Sequence, residues 1–205
     1  MVPGAVLAPL FSFFRHNLGS LKPLLWLFRI VIVGVSGTPG TGKSTLAGAL
    51  RRKGYQVIDV GEFAKERGLV SGRDARRRSV EVDVKKLDLA LKKELPPGTV
   101  FLVGHLSHLL TVDLIVLLRC SPSVLRERLK KRRWSDRKIR ENLEAEACDV
   151  ILIEALERSK EVFEIDTTDR SPEAVAASVD DILAGKREKY AFGNIDWSME
   201  VLSWY

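Results

Sequence analysis

Residues 29–52 read RIVIVGVSGTPGTGKSTLAGALRR, and the fold follows from how this stretch changes character twice. Arg29–Val35 is a short run rich in β-branched residues, which suits a strand buried on both faces of a parallel sheet. Residues 37–44, Gly-Thr-Pro-Gly-Thr-Gly-Lys-Ser, satisfy the pattern G-x-x-x-x-G-K-[ST] at every fixed position. Lys43–Arg52 then has helical character. Strand, glycine-rich loop and helix stand in the order that a phosphate-binding loop needs. Glycines such as Gly40 and Gly42 let successive backbone N–H groups turn inward around a β-phosphate. The helix N-terminus adds its partial positive charge. In that arrangement Lys43 bridges the β- and γ-phosphates, Ser44 offers its hydroxyl to Mg²⁺, and Thr45 reaches the α-phosphate. The ligand implied is a nucleoside triphosphate with its magnesium ion.

Tyr55–Asp59, Val100–Val103, Leu114–Leu118 and Val162–Asp166 are four more short apolar runs. Helical stretches separate them: Gly61–Arg67, Val82–Leu95, Pro122–Arg132 and Ser135–Ser159. A last helix opens at Ser171-Pro172-Glu173, with proline at its first position, and stops at Gly185. Residues 68–81 carry Gly68, Gly72 and several arginines and read as a mobile loop. Strands alternating with helices imply crossover connections. The fold class is therefore α/β: a P-loop, three-layer α/β/α arrangement around a five-stranded parallel sheet.

The chain has 205 residues, 45% hydrophobic and 29% charged, which suits one globular domain. Collagen-like, low-complexity and disulfide-scaffold classes are excluded by composition. Cys120 and Cys148 are the two cysteines and have no metal-type spacing. Thirty-three Lys and Arg against 27 Asp and Glu give +6, which favours a phosphate-bearing partner. Residues 1–28 hold two apolar runs split by Arg15, His16, Asn17 and Lys22. Neither reaches the roughly 18–20 apolar residues that span a bilayer, so no integral membrane contact is expected. We read 1–28 as an extension outside the core, through a start-site choice; the alternatives are a peripheral membrane or partner-binding segment and a helix packed onto the main domain. The working domain is read as 29–187, with an aromatic tail at 188–205 that is an arm packed on the body or a docking segment.

Around the loop, three groups of residues suggest what the triphosphate is for. No guanine-reading Asn-Lys-x-Asp segment stands out. The acceptor of a phosphoryl group is expected at 59–82. There Asp59, Glu62, Asp74 and Glu81, with Asp83 just beyond, suit a base or ribose, and Arg73 and Arg76–Arg78 suit a monophosphate. A solvated charged loop is the plainer reading of the same residues. A basic helix-turn-helix follows the fourth strand and includes Arg126, Arg128, Lys131, Arg132, Arg133, Arg137 and Lys138. Arginines closing over a transferring phosphoryl group stabilise its oxygens and exclude water. A lid is expected at about 131–141, with Arg132 its best single residue. Gly104-His105-Leu106-Ser107-His108 follows the third strand, at the carboxyl end of the sheet where ligands of such folds bind. His105 would place a water or an acceptor oxygen; His108 reads more as structural. The loop Thr167–Ser171 would face adenine, with Arg170 stacking on it.

The segments GTPGTGKST, IDVGEFAKE, GHLSHLL and VLRERLKKRRWSDRKIRENLEAEACDV, in this order and spacing, resemble the isoenzyme-six branch of the adenylate kinases over about residues 29–200. GHLSH and the IDWS tail resemble its archaeal members. The resemblance implies a nucleoside monophosphate kinase fold with a short, zinc-free lid. It implies transfer of phosphate from ATP to AMP or another nucleoside monophosphate, and ATP hydrolysis. It also implies a cytoplasmic part in late small ribosomal subunit (16S rRNA) maturation, beside a small-subunit ribosomal protein and pre-rRNA. It carries over to Gly40, Gly42, Lys43, Ser44 and Thr45 as ATP-binding loop, Arg132 as the ATP-contacting lid arginine, and His105 as the histidine after the third strand. Two positions depart from the family. Val103 stands where an acid holds Mg²⁺ through water, and Arg133 where glycine usually follows the lid arginine, which would stiffen the lid. The alternatives are an ATP-hydrolysing assembly factor with little kinase activity, and a P-loop kinase for a small metabolite.

Overall fold

The computed structural model describes residues 31–74, 79–159 and 161–202. Along the chain, β1 (Val31–Ser36) leads through a loop into α1 (Lys43–Arg52), and β2 (Gln56–Asp59) runs directly into α2 (Val60–Glu66). β3 (Val70–Asp74) and β4 (Ser79–Val82) precede α3 (Val84–Glu94). β5 (Thr99–Val103) and β6 (Leu114–Arg119) follow, then α4 (Pro122–Lys130), α5 (Asp136–Ala147), α6 (Val150–Arg158), β7 (Val162–Asp166), α7 (Pro172–Leu183) and a short α8 (Ser198–Leu202).

Five of the strands form one parallel sheet in the order β2-β5-β1-β6-β7. β1 is central, so the loop that leaves it emerges between two crossovers. Alternate side chains point to opposite faces. Val33, Val35, Phe101, Val103, Val116 and Leu118 pack on α1 and α7. Val100 and Leu102 meet α2 and α3 on the other face, and Ile115 and Leu117 meet α6. α4 and α5 have a small core of their own, made by Leu125, Leu129, Ile139 and Leu143 with Trp134 against it. That local core makes the basic turn between them a shaped element.

Three expectations need correction. Residues 68–81 are not simply a loop: β3 and β4 pair antiparallel, Val70 with Val82 and Arg73 with Val80, with a register shift between Val70 and Gly72. The valines at 70, 80 and 82 supply the β propensity that the arginines mask. Residues 75–78, hence Arg76–Arg78, lie outside the described residues, as do the side chains of Arg73, Asp74 and Glu81. Ser135–Ser159 is two helices, because Asp149 takes a left-handed conformation, φ 55°, between α5 and α6. The helix read from Val82 starts at Val84, where Asp83 caps it by accepting from the Lys85 and Lys86 N–H groups.

The tail from 188 crosses the edge of the sheet. Tyr190 is buried, Ala191 bridges Phe163 of β7, and the Gly193 N–H donates to Glu164 at 2.7 Å. Glu200 of α8 accepts from the Ser123 N–H at the start of α4. Residues 1–30 and 203–205, including the extension and Trp204 and Tyr205, lie outside the described residues. Among the described residues no helix is long and apolar enough to cross a membrane.

Candidate active site

The loop between β1 and α1 is built around glycine geometry. Gly37 has φ 138°, and a Cβ there would stand 2.4 Å from the Leu118 carbonyl oxygen of β6. Gly40 has φ 100°, and a Cβ there would run into Leu125 and Leu129 of α4. The loop is therefore pressed between the sheet and the lid helices. Thr41 ties it internally, its N–H and hydroxyl both donating to the Thr38 carbonyl. The Thr167 hydroxyl, on the loop after β7, donates to the Thr41 carbonyl at 2.8 Å. α1 begins at Gly42 with no side-chain cap, which leaves its first N–H groups to a ligand.

Lys43 folds back over this loop. Its ammonium donates to the Gly37 carbonyl at 2.5 Å and the Thr38 carbonyl at 2.9 Å. Burial pushes its pKa down to about 8; Glu146 opposes that shift and Arg132 adds to it. A phosphate arriving in the loop replaces two neutral carbonyls with anionic oxygens, to which the ammonium binds more strongly.

Two clefts open from the loop. The first, ≈ 440 Å³, is walled by Thr45, Leu46, Arg128, Lys131, Thr167, Arg170, Pro172 and Val175. Arg128 does not reach freely into it: its guanidinium donates to the Thr167 and Thr168 carbonyls and shapes the loop expected to face a base. Arg170 is likewise held, donating to the Ala174 carbonyl and the Ser178 hydroxyl of α7. The second cleft, ≈ 520 Å³, has apolar walls from Val60, Ala64, Val70, Val82, Leu106 and Trp134 and a polar rim of Lys43, Lys65, His105, Lys138 and Asn142. Gly40, Gly42, Ser44 and Arg132 line both clefts. The structure thus brings Lys43, Ser44, Thr45, Arg132, His105 and Arg170 around one loop, with Arg132 where the two clefts meet.

The two histidines part company. His105 lines the second cleft, and its ring is held below the usual imidazole range by desolvation, then by Lys43 and His108. His108 is buried outside both clefts, bridging the Ser36 hydroxyl and the Glu154 carboxylate at 2.8 Å each. Burial lowers its pKa and Glu154 works against that.

Of the acids expected on the acceptor side, Asp59, Glu62 and Asp83 have partners of their own. Asp59 caps α2, accepting from the Gly61 and Glu62 N–H groups at 2.9 and 3.0 Å, and Glu62 pairs with Lys65. Among the described residues, no Asp or Glu lines either cleft. Val103 is buried in the core and aligned with Asp59 across β2 and β5, so the position offers no oxygen. Among the described residues there is no group of three or more His, Cys, Asp or Glu able to hold a metal ion. This donor set fits a cation that arrives on nucleotide phosphates and meets Ser44 on the protein side. Trp134 and Asn142, which sequence reading passed over, belong to the second cleft. The signal available for Trp134 was an aromatic ring inside an otherwise charged turn.

Residues 33–149 match the AAA domain family. The chain is 48% identical over 174 residues to the "Putative adenylate kinase" of Archaeoglobus fulgidus, covering 83% of this chain and 94% of that protein. It is 42% identical over 171 residues to the protein of the same name from Thermococcus onnurineus, covering 83% and 93%. Its fold is similar to that of shikimate kinase from Acinetobacter baumannii in complex with shikimate, with a TM-score of 0.54 at 13% identity, over 79% of this chain and 97% of that one.

Proposed function

The chain belongs to the family of these archaeal adenylate kinase relatives, and on that footing we propose that it transfers the terminal phosphoryl group of ATP to AMP or another nucleoside monophosphate. The observation that carries the reading is the pair of clefts meeting at one phosphate loop and one arginine. A triphosphate in the first cleft and a monophosphate in the second would present donor and acceptor to each other across that arginine. The cations in the linings, Arg128, Lys131 and Arg170 in the first and Lys43, Lys65 and Lys138 in the second, suit two anions. The apolar walls of the second cleft suit a flat base better than a polyol.

In this reading an acceptor phosphate oxygen forms a bond to the γ-phosphorus as the bond to the β,γ-bridging oxygen breaks, giving two diphosphates. Charge builds on the transferring oxygens, and Lys43, Arg132 and the N–H groups of the loop and α1 stabilise it. Ser44 would hold Mg²⁺ beside the phosphates, and the ion would supply further charge neutralisation there. His105, held toward its neutral form, orients an acceptor oxygen or a water. With no acceptor present, water takes that place and ATP is hydrolysed. The family resemblance extends the proposal to the cytoplasm and to small-subunit maturation, with the exposed basic turn near 131–140 as the face offered to a ribosomal protein or pre-rRNA.

The test is ADP and phosphate release from Mg·ATP with each nucleoside monophosphate in turn. Two ADP per ATP consumed, only with AMP present, supports the transfer. AMP-independent phosphate release supports the ATPase. A rate that rises only with a hydroxylated acid, as in the shikimate kinase fold relative, would overturn the choice of acceptor.

A further inference from the structure

Beneath the phosphate loop, charged side chains are packed out of water. Arg119, the last residue of β6, is 2% exposed. Its Nε donates to Glu146 Oε1 at 2.8 Å and its Nη2 to the Glu146 carbonyl at 3.1 Å. Its other N–H groups reach Glu164 of β7 and Asp149 at the helix break. Burial opposes its charge, and the three carboxylates more than restore it. Glu146 is the most connected of them. It leaves the last turn of α5, the helix that starts at the lid turn, and is 3% exposed. Oε1 accepts from Arg119 and from the Cys120 N–H at 3.1 Å; Oε2 accepts from the Thr38 hydroxyl at 2.5 Å. Thr38 is the loop residue whose carbonyl holds Lys43 and Thr41.

We propose that Glu146 is a positioning residue for nucleotide binding: through Thr38 it fixes the loop turn against which Lys43 rests, and it couples that turn to the lid helix. The proposal rests on the phosphate-loop reading above and deepens it. A buried carboxylate with three donors costs desolvation that its partners offset, and removing its charge leaves Arg119 short of one. A purely structural role ends there. Glu146 has a second effect, because the residue it holds, Thr38, presents the carbonyl to which the Lys43 ammonium donates at 2.9 Å. Glu146 itself faces Arg119, Glu164 and Asp149.

Calorimetry of Mg·ATP binding to the full chain, beside melting of the same variants, separates the two roles. Glu146→Gln keeps volume and an acceptor oxygen but not charge, and weakens binding about tenfold. Thr38→Val keeps the charge and loses the hydroxyl; it also weakens binding about tenfold. Thr38→Ser recovers that loss. Folded Glu146→Gln or Thr38→Val protein that binds within about twofold of wild type overturns the proposal. If Glu146→Gln does not fold, by circular dichroism and melting, the two Thr38 variants decide. Wild-type protein that binds no ATP sinks the phosphate-loop reading as well, whereas normal wild-type binding with unaltered variants sinks only this one.

Discussion

The two clefts share a floor and differ in how they are made. The first takes its loop lining, Gly40, Gly42, Ser44 and Thr45, from one continuous stretch that the backbone alone largely shapes. The second is assembled from α2, the β3–β4 ribbon, the loop after β5, the lid turn and α5, with Val60, Val82, His105, Trp134 and Asn142 meeting from far apart in sequence. Phosphate chemistry is generic and can be met locally. Choosing an acceptor is particular to one molecule, and its walls come from wherever the fold brings a suitable surface.

Substitutions on the shared floor carry the largest effects. Lys43→Ala removes the cation that the proposed transfer sets on the moving phosphoryl group, and kcat for ADP formation is expected to fall by about 10³-fold or more. A rate near wild type in a coupled assay would detach the chemistry from this loop. Arg132→Ala is expected to cost about 10²–10³-fold in kcat, because the developing charge loses its one lid arginine common to both clefts. KM for donor and acceptor should rise together. A rise for ATP alone would move Arg132 wholly into the first cleft and divide the two clefts more sharply than the geometry does.

What could be read in advance tracks the same divide. The phosphate loop and its flanking strand and helix were legible because pattern, glycine placement and context are adjacent in sequence. The five-stranded sheet was legible from its short apolar runs. Asp59 and Asp83 took another part for a local reason: they stand immediately before helices, where a carboxylate finds free N–H groups before it finds a ligand. Arg119 closes an otherwise apolar strand, and its partners Glu146, Asp149 and Glu164 are 27, 30 and 45 residues away, so nothing near it in sequence announces a buried network. The break at Asp149 has neither proline nor glycine to mark it; the contact with Arg119 accompanies the left-handed residue there. His105 and His108 are three residues apart with opposite surroundings, which one turn of 3₁₀ helix at Ser107–Leu109 decides.

A smaller effect isolates the acceptor side. Trp134 packs on the lid core by one part and lines the second cleft by another, with the Lys138 ammonium 4.1 Å from its ring centroid. Trp134→Leu keeps apolar packing and loses the aromatic face on which the proposed monophosphate's base would stack. KM for the monophosphate is expected to rise about tenfold, from the 1–3 kcal/mol that such stacking contributes, with ATP affinity held. Should ATP affinity fall instead, the lid turn would belong to the donor side.

The smallest effect concerns the lid turn itself. Arg133 follows the shared arginine and has φ 55°, one of two non-glycine residues with positive φ among those described. A side chain there brings Cβ against the following carbonyl, at about 1 kcal/mol relative to glycine. Its N–H donates to the Lys130 carbonyl at 2.9 Å and closes the turn after α4. Arg133→Gly relieves the Cβ contact and keeps that hydrogen bond, while it frees the unfolded chain by a comparable entropy. The balance favours glycine by about 0.5 kcal/mol, because a left-handed residue gains more from losing Cβ than the unfolded state gains in freedom. Urea unfolding of Arg133→Gly beside Arg133→Lys measures it, since lysine keeps the charge and the Cβ. Glycine more stable than lysine means that the turn holds backbone strain next to Arg132. Lysine and arginine alike more stable than glycine would mean that the side chain at 133 holds the turn, and that the second cleft's lid is braced by contact where the first cleft's loop is shaped by backbone.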